Sequence, residues 1–205
     1  GVGKSRLALR AARGLVPDFA DGAFLIDLAS RQQADAVFRE IATVLDIPPA
    51  EGRPMLACVI DALRDAEILL LLDKLEQLAS AVADIDSLIA NCPGVKVLVT
   101  SRRTPALAGV EAIRVPPLGL PDPDNATFAQ IRDSDCVQLF LDRAHTVREN
   151  FELTQENARE ILQICHHLDG LPLAIELATS RMRSMNATKL LSKVLKGALQ
   201  RAIDV

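Results

Sequence analysis

A chain of 205 residues with 49% hydrophobic content is long enough for one α/β domain, an appended smaller unit and a true apolar core. Its 23 basic and 27 acidic residues leave a formal charge of -4, so nothing in the balance points to direct nucleic-acid contact by this segment. No run reads as a signal peptide or a membrane span, and the expectation is a soluble, cytoplasmic protein.

The chain begins GVGKS, Gly1 to Ser5, the closing half of a Walker A phosphate loop. The full pattern starts with a further glycine upstream and a strand that launches the loop. RLALRAARGL then has apolar residues at helical spacing and stops near Gly14 and Pro17. GAFLIDLA, Gly22 to Ala29, reads as a strand, and ADAVFREIATVL and PMLACVIDALRD read as helices on either side of Pro48 and Pro49. ILLLLD, Ile68 to Asp73, is charge-free until its closing carboxylate, as a strand buried on both faces is. LEQLASAVADIDSLIANC returns to helical period, VKVLVTSR (Val95 to Arg102) is the next buried strand, and IRVPPLG (Ile113 to Gly119) reads as a last short one. Strands alternating with helices predict a parallel sheet covered on both faces. PDPDNATFAQI, Pro121 to Ile131, is a polar, proline-rich junction, and beyond it the pattern is helical throughout. Asp133 or Ser134 is placed to cap CVQLFLDRAHTV, Thr154 to begin TQENAREILQICHHL, and Pro172 to fill the first turn of LPLAIELATSRMRSM. Asn186 or Thr188 is placed to start TKLLSKVLKGALQRAI. The predicted organisation is a nucleotide-binding α/β domain over 1–125, lacking its first strand, a helical subdomain over 126–185 and the start of a further helical or winged-helix unit over 186–205.

The residues at these element ends have a chemistry in common. Gly1 and Gly3 let a backbone curl around phosphates without a Cβ in the way. Lys4 supplies a mobile positive charge for β- and γ-phosphate oxygens, and Ser5, at a helix start, can place its hydroxyl on Mg²⁺. Arg6 follows them in the same first turn and completes the candidate phosphate-binding run. A five-residue GxGKS also occurs by chance in surface turns; the helix behind it and a strand ending in Asp73 favour a nucleotide site. Asp73, at a strand's carboxyl end, can orient Mg²⁺ or cap the next helix, and the two roles are compatible. Lys74 stands where hydrolytic enzymes of this kind often carry a second acid, and Glu76 is a nearby acid on a helix start. Thr100-Ser101-Arg102-Arg103 closes the third strand, where Arg102, rather than Arg103, is placed to bridge phosphate oxygens. The four cysteines lie in or beside apolar helical patterns and read as buried free thiols. His145, His166 and His167 lie in helical runs with no cluster at ligand spacing, so no zinc site is expected.

GVGKSRLALRAA, LLLLDKLEQL, VKVLVTSRR and ICHHLDGLPLAIELA, in that order, closely resemble the ATPase domain of the signal-transduction NTPases with numerous domains, the STAND class. Within it the chain is most similar to bacterial LuxR-type or cyclase-like regulators, whose ATPase domain is related to NB-ARC. The resemblance covers almost all of the chain and implies a P-loop NTPase fold with a helical lid, operated by ATP or ADP with Mg²⁺. It implies that Lys4 and Ser5 are the Walker A pair, that Asp73 is the Walker B aspartate and that Arg102 is the sensor arginine of TSR. It places Pro172, within GLPLA, beside the adenine base. Lys74 departs from the Asn or Asp usual in relatives, which implies at most slow ATP hydrolysis.

The expected function is an ATP/ADP-binding regulatory switch in a multidomain signalling or transcriptional regulator. Its expected partners are the nucleotide and the other domains of the parent protein, with nucleotide-dependent self-association and no membrane. The rival reading is a protein-interaction or oligomerisation module without meaningful turnover. Direct DNA binding through Arg181, Arg183, Lys189, Lys193, Lys196 and Arg201 is disfavoured by the net charge. The absent first strand is expected to lie between the strands ending in Asp73 and Arg102, and its loss to leave the isolated chain poorly folded or aggregation-prone.

Overall fold

The computed structural model describes residues 1–29, 36–184 and 186–203. The start of the helix expected at Ala34 and Asp35, the boundary expected at Met185 and the last two residues fall outside them, as do the side chains of Lys196 and Arg201. Packing divides the chain into two compact units, residues 4–114 and residues 115–205 with 1–3.

The first unit is built on three parallel strands, β1 (Ala23–Asp27), β2 (Ile68–Asp73) and β3 (Val95–Val99), in the order β1-β2-β3. Every residue of β2 is buried, as its unbroken apolar run requires. Strand alternation divides that run between two cores. Leu69 and Leu71 pack with Ala8 and Ala12 of α1 (Lys4–Leu15), small residues one helical turn apart that let the helix lie close to the sheet. Ile68, Leu70 and Leu72 belong to the larger core with residues of α2 (Ala36–Val44), α3 (Met55–Leu63) and α4 (Val82–Asn91). A left-handed Asp46 ends α2, after which Pro48 and Pro49 prevent its resumption. At the start of β3, Gly94 lies so close to the Ala66 carbonyl that a Cβ there would overlap it.

Two expectations need correction in this unit. β2 and β3 pair directly, Leu72 opposite Val99, so no strand lies between those ending at Asp73 and leading to Arg102. The helix expected from Leu75 starts only at Val82, because Leu75–Gln77 and Ala79–Ala81 wind as 3-10 turns first. The Leu78 and Ala81 N–H groups bond three residues back, to Leu75 and Leu78, which is tighter than the α-helical spacing.

The second unit is helical among its described residues: α5 (Phe128–Arg132), α6 (Asp135–Val147), α7 (Ala158–His167), α8 (Pro172–Thr179) and α9 (Ala187–Ile203). The strand expected over Ile113–Gly119 does not form. Pro116 and Pro117 remove two donors from any ladder, Ile113 is 80% exposed, and the Leu118 N–H bonds instead to the Gly170 carbonyl at 3.0 Å. Helix α5 falls inside the expected junction. Thr127 and Gln130 form a reciprocal capping box that starts it. The core gathers Val137 and Phe140 of α6, Ile161, Leu162 and Cys165 of α7, and Ile175 of α8. Left-handed Asp169 and Gly170 stop α7, and a Cβ at Gly170 would meet the Leu118 carbonyl oxygen at 2.5 Å. Pro172 then occupies the first turn of α8, as expected. Asn186 accepts the Lys189 N–H at 3.0 Å and caps α9.

Candidate functional site

The carboxyl ends of β2 and β3 and the first turn of α1 meet at one carboxylate. Asp73 closes β2 and is only 8% exposed. Its Oδ1 accepts a hydrogen bond from Ser5 Oγ at 2.6 Å, across 68 residues of sequence. The same oxygen accepts the Thr100 hydroxyl, from the residue directly after β3. Thr100, 4% exposed, also takes the Lys74 N–H on its own hydroxyl oxygen at 3.0 Å. Backbone bonds continue this join past the strands, Thr100 N–H to Leu72 O and Leu75 N–H to Thr100 O, both at 3.0 Å.

Lys74 makes that geometry possible by adopting a left-handed conformation (φ 68°) immediately after Asp73. Such a backbone costs an L-residue roughly 1–2 kcal/mol. The turn directs its N–H at Thr100, while its ammonium stands 3.9 Å from Asp73 Oδ2. Charge attraction at that distance is not a hydrogen bond.

Lys4 and Ser5 open α1, whose first turn carries no acidic residue of its own, so the Asp73 carboxylate on Ser5 Oγ is the negative group at this helix start. Gly3, just before them, has φ +90° and nothing within 4 Å of where a Cβ would stand. This is the left-handed curl that a backbone closing around an anion adopts. Arg6 follows in the same turn and is exposed. Gly1 accepts the Leu173 N–H at 3.3 Å and belongs with Gly3 and Pro172 to the helical unit.

Glu76 lies in the 3-10 turn after Lys74, and its Oε1 is 3.4 Å from Arg102 Nε. The guanidinium side chain is 84% exposed and that of Glu76 22%. Glu76 Oε2 is buried and has no hydrogen-bond partner among the described residues. Arg103 donates its N–H to the Ser101 hydroxyl at 3.3 Å.

The arrangement therefore brings Ser5, Asp73 and Lys74 together with Thr100, and puts Arg102 on Glu76. The link from Thr100 to Asp73 is one that sequence reasoning missed, since a hydroxyl at a strand end has no spacing signature. Its only signal was the polar Thr100-Ser101 that follows an apolar strand.

Among the described residues no group of three or more His, Cys, Asp or Glu is placed to hold a metal ion. A hydroxyl and one carboxylate could contribute two ligands to Mg²⁺, which takes most of its remaining oxygens from water and phosphate. His166 Nε2 lies 2.8 Å from the Pro121 carbonyl oxygen, a structural contact in the helical unit. A cleft of about 440 Å³ lined by Arg39, Thr43, Asp46, Pro48 and Met55 shares no residue with the Asp73 cluster. No helix among the described residues is long and apolar enough to cross a membrane.

No protein-family model matches the chain. An uncharacterized protein of Mycobacterium bovis is 36% identical over 193 residues, which cover 94% of this chain and 46% of that protein. An uncharacterized protein of Mycobacterium tuberculosis aligns with the same figures. A Mycobacterium tuberculosis protein named "Putative HTH-type transcriptional regulator" is 32% identical over 212 residues, 98% of this chain and 22% of that protein. The chain thus spans less than half the length of these relatives.

Proposed function

We propose that the chain is the nucleotide-operated switch of a larger transcriptional or signalling regulator, a P-loop ATPase module of the STAND class related to NB-ARC. The observation that carries this reading is the Ser5–Asp73 hydrogen bond at 2.6 Å. It joins a hydroxyl at a helix start to a carboxylate at a parallel strand's end, the two groups that in such modules share a divalent cation. Ser5 and Asp73 would hold Mg²⁺, which when bound neutralises charge between the phosphates.

Lys4 has no ion pair or hydrogen bond among the described residues and is available to a phosphate oxygen. Gly1, Gly3 and the N–H groups of the first turn of α1, with Ser5 and Arg6, would line the anion. Thr100 holds the Asp73 carboxylate in one orientation. Arg102 would answer a third phosphate, and Pro172 would contact adenine, the latter on the resemblance alone. Lys74 offers no carboxylate to act as a general base, so ATP hydrolysis would be at most slow. Asp73 and Arg102 are the residues on which such turnover would depend.

Leu173 and Leu177, exposed one turn apart on α8, favour a second reading, a protein-interaction or oligomerisation module. Assembly indifferent to nucleotide would select it. The primary test is ATP and ADP affinity, wild type against Lys4→Ala. Losing one charge-assisted phosphate contact should weaken binding by at least about tenfold. Equal, tight binding by both proteins removes the phosphate role.

A further inference from the structure

Glu76 and Arg102 form a lopsided pair. The carboxylate is largely enclosed, with Oε2 buried and unpartnered among the described residues, and Oε1 lies 3.4 Å from Arg102 Nε. The guanidinium side chain is 84% exposed. A buried carboxylate oxygen without a donor is costly, so Glu76 has a standing demand for its cation. Arg102 itself loses little by leaving, because its exposed guanidinium is readily solvated. The two residues sit at adjacent strand ends: Glu76 is three residues past Asp73, and Arg102 two past Thr100.

We propose that Glu76 is a specificity-determining residue that competes with the terminal phosphate of ATP for Arg102, and so sets how strongly the protein distinguishes ATP from ADP. This rests on the nucleotide reading above and extends it to a residue that need not touch the nucleotide. ADP leaves Arg102 on Glu76. ATP offers the guanidinium a bidentate anion, and Arg102 must give up Glu76 to take it. The affinity for ATP, but not for ADP, therefore includes the cost of separating the pair. Glu76 acts through Arg102 and is a positioning residue.

The test is a set of equilibrium titrations with ATP and with ADP on wild type, E76Q, E76D, R102A and E76Q/R102A. Glu76→Gln keeps the shape and removes the charge, so ATP should bind about two- to fivefold more tightly with ADP unchanged, the range an exposed ion pair allows. Glu76→Asp withdraws the carboxylate by one methylene and should move ATP affinity the same way, guarding against a folding defect peculiar to the amide. Arg102→Ala, at an exposed site, should weaken ATP about tenfold and spare ADP. In the R102A background E76Q should then have no effect. An unchanged ATP/ADP ratio in both Glu76 variants, or the same change with Arg102 absent, overturns the competition while leaving the nucleotide site intact. Failure of wild type to bind either nucleotide overturns the site and the competition together.

Discussion

Thr100→Val is the sharpest structural test of the Asp73 cluster, because it removes one hydroxyl and nearly preserves volume. In the wild type that hydroxyl donates to the Asp73 carboxylate and accepts the Lys74 N–H at 3.0 Å, at a site 4% exposed. A hydrogen bond to a charged group contributes about 1.5–3 kcal/mol, and a buried N–H left without an acceptor costs about 1–3 kcal/mol. The two losses share one network and do not add fully, so the variant should be less stable by about 2–5 kcal/mol. Thr100→Ser keeps both bonds and deletes one methyl, which should cost about 1 kcal/mol. Urea unfolding of both variants measures this as a fall in midpoint at constant slope. A T100V variant as stable as T100S would mean that the hydroxyl does not hold Asp73 and Lys74 in place, and the cluster would lose its physical basis.

Two glycines should respond in opposite senses to alanine. Gly94→Ala drives a Cβ into the Ala66 carbonyl and should destabilise by about 1–3 kcal/mol, whereas Gly14→Ala, in α1 with open space around it, should stabilise by about 0.5–1 kcal/mol; thermal unfolding distinguishes them. All four cysteines are free and buried, so the native protein should react with a thiol-directed disulfide reagent far more slowly than the denatured chain, which should expose all four. Burial pushes the Cys92 thiol up, which reinforces that protection for Cys92 at neutral pH. Rapid labelling of more than one thiol in the folded protein would contradict the packing around them.

Much of the first unit was legible because its signals are local and redundant. The run Ile68–Leu72 has no charge to place on a wet face, so a strand covered on both sides was its natural reading. Pro172 likewise announces a helix start, since its missing N–H is harmless there. Ile113–Gly119 misled because its apolar residues resemble a strand, while two prolines deny it a ladder and Gly170 claims the Leu118 N–H from a distant turn. Helix α5 was hidden by proline and aspartate upstream, although Thr127 and Gln130 stood at capping-box spacing. At the candidate site, Ser5 and Asp73 could be singled out by their places at element ends. Their hydrogen bond depends on a tertiary approach across 68 residues, and the left-handed Lys74 that directs its N–H to Thr100 is announced by no glycine or asparagine.

The parallel pairing of β2 with both of its neighbours bears on the order in which this unit folds. Neither partner can be reached through a tight turn: the chain must travel through α2 and α3 to bring β2 beside β1, and through α4 to bring β3 beside β2. Each crossover closes a long loop before any ladder bond offsets the lost freedom, which is the regime of slow folding. The helices must therefore collapse together with the strands they carry. The middle strand can be completed only when both crossovers have settled, and once in place it cannot leave without dismantling two ladders and two hydrophobic cores at once.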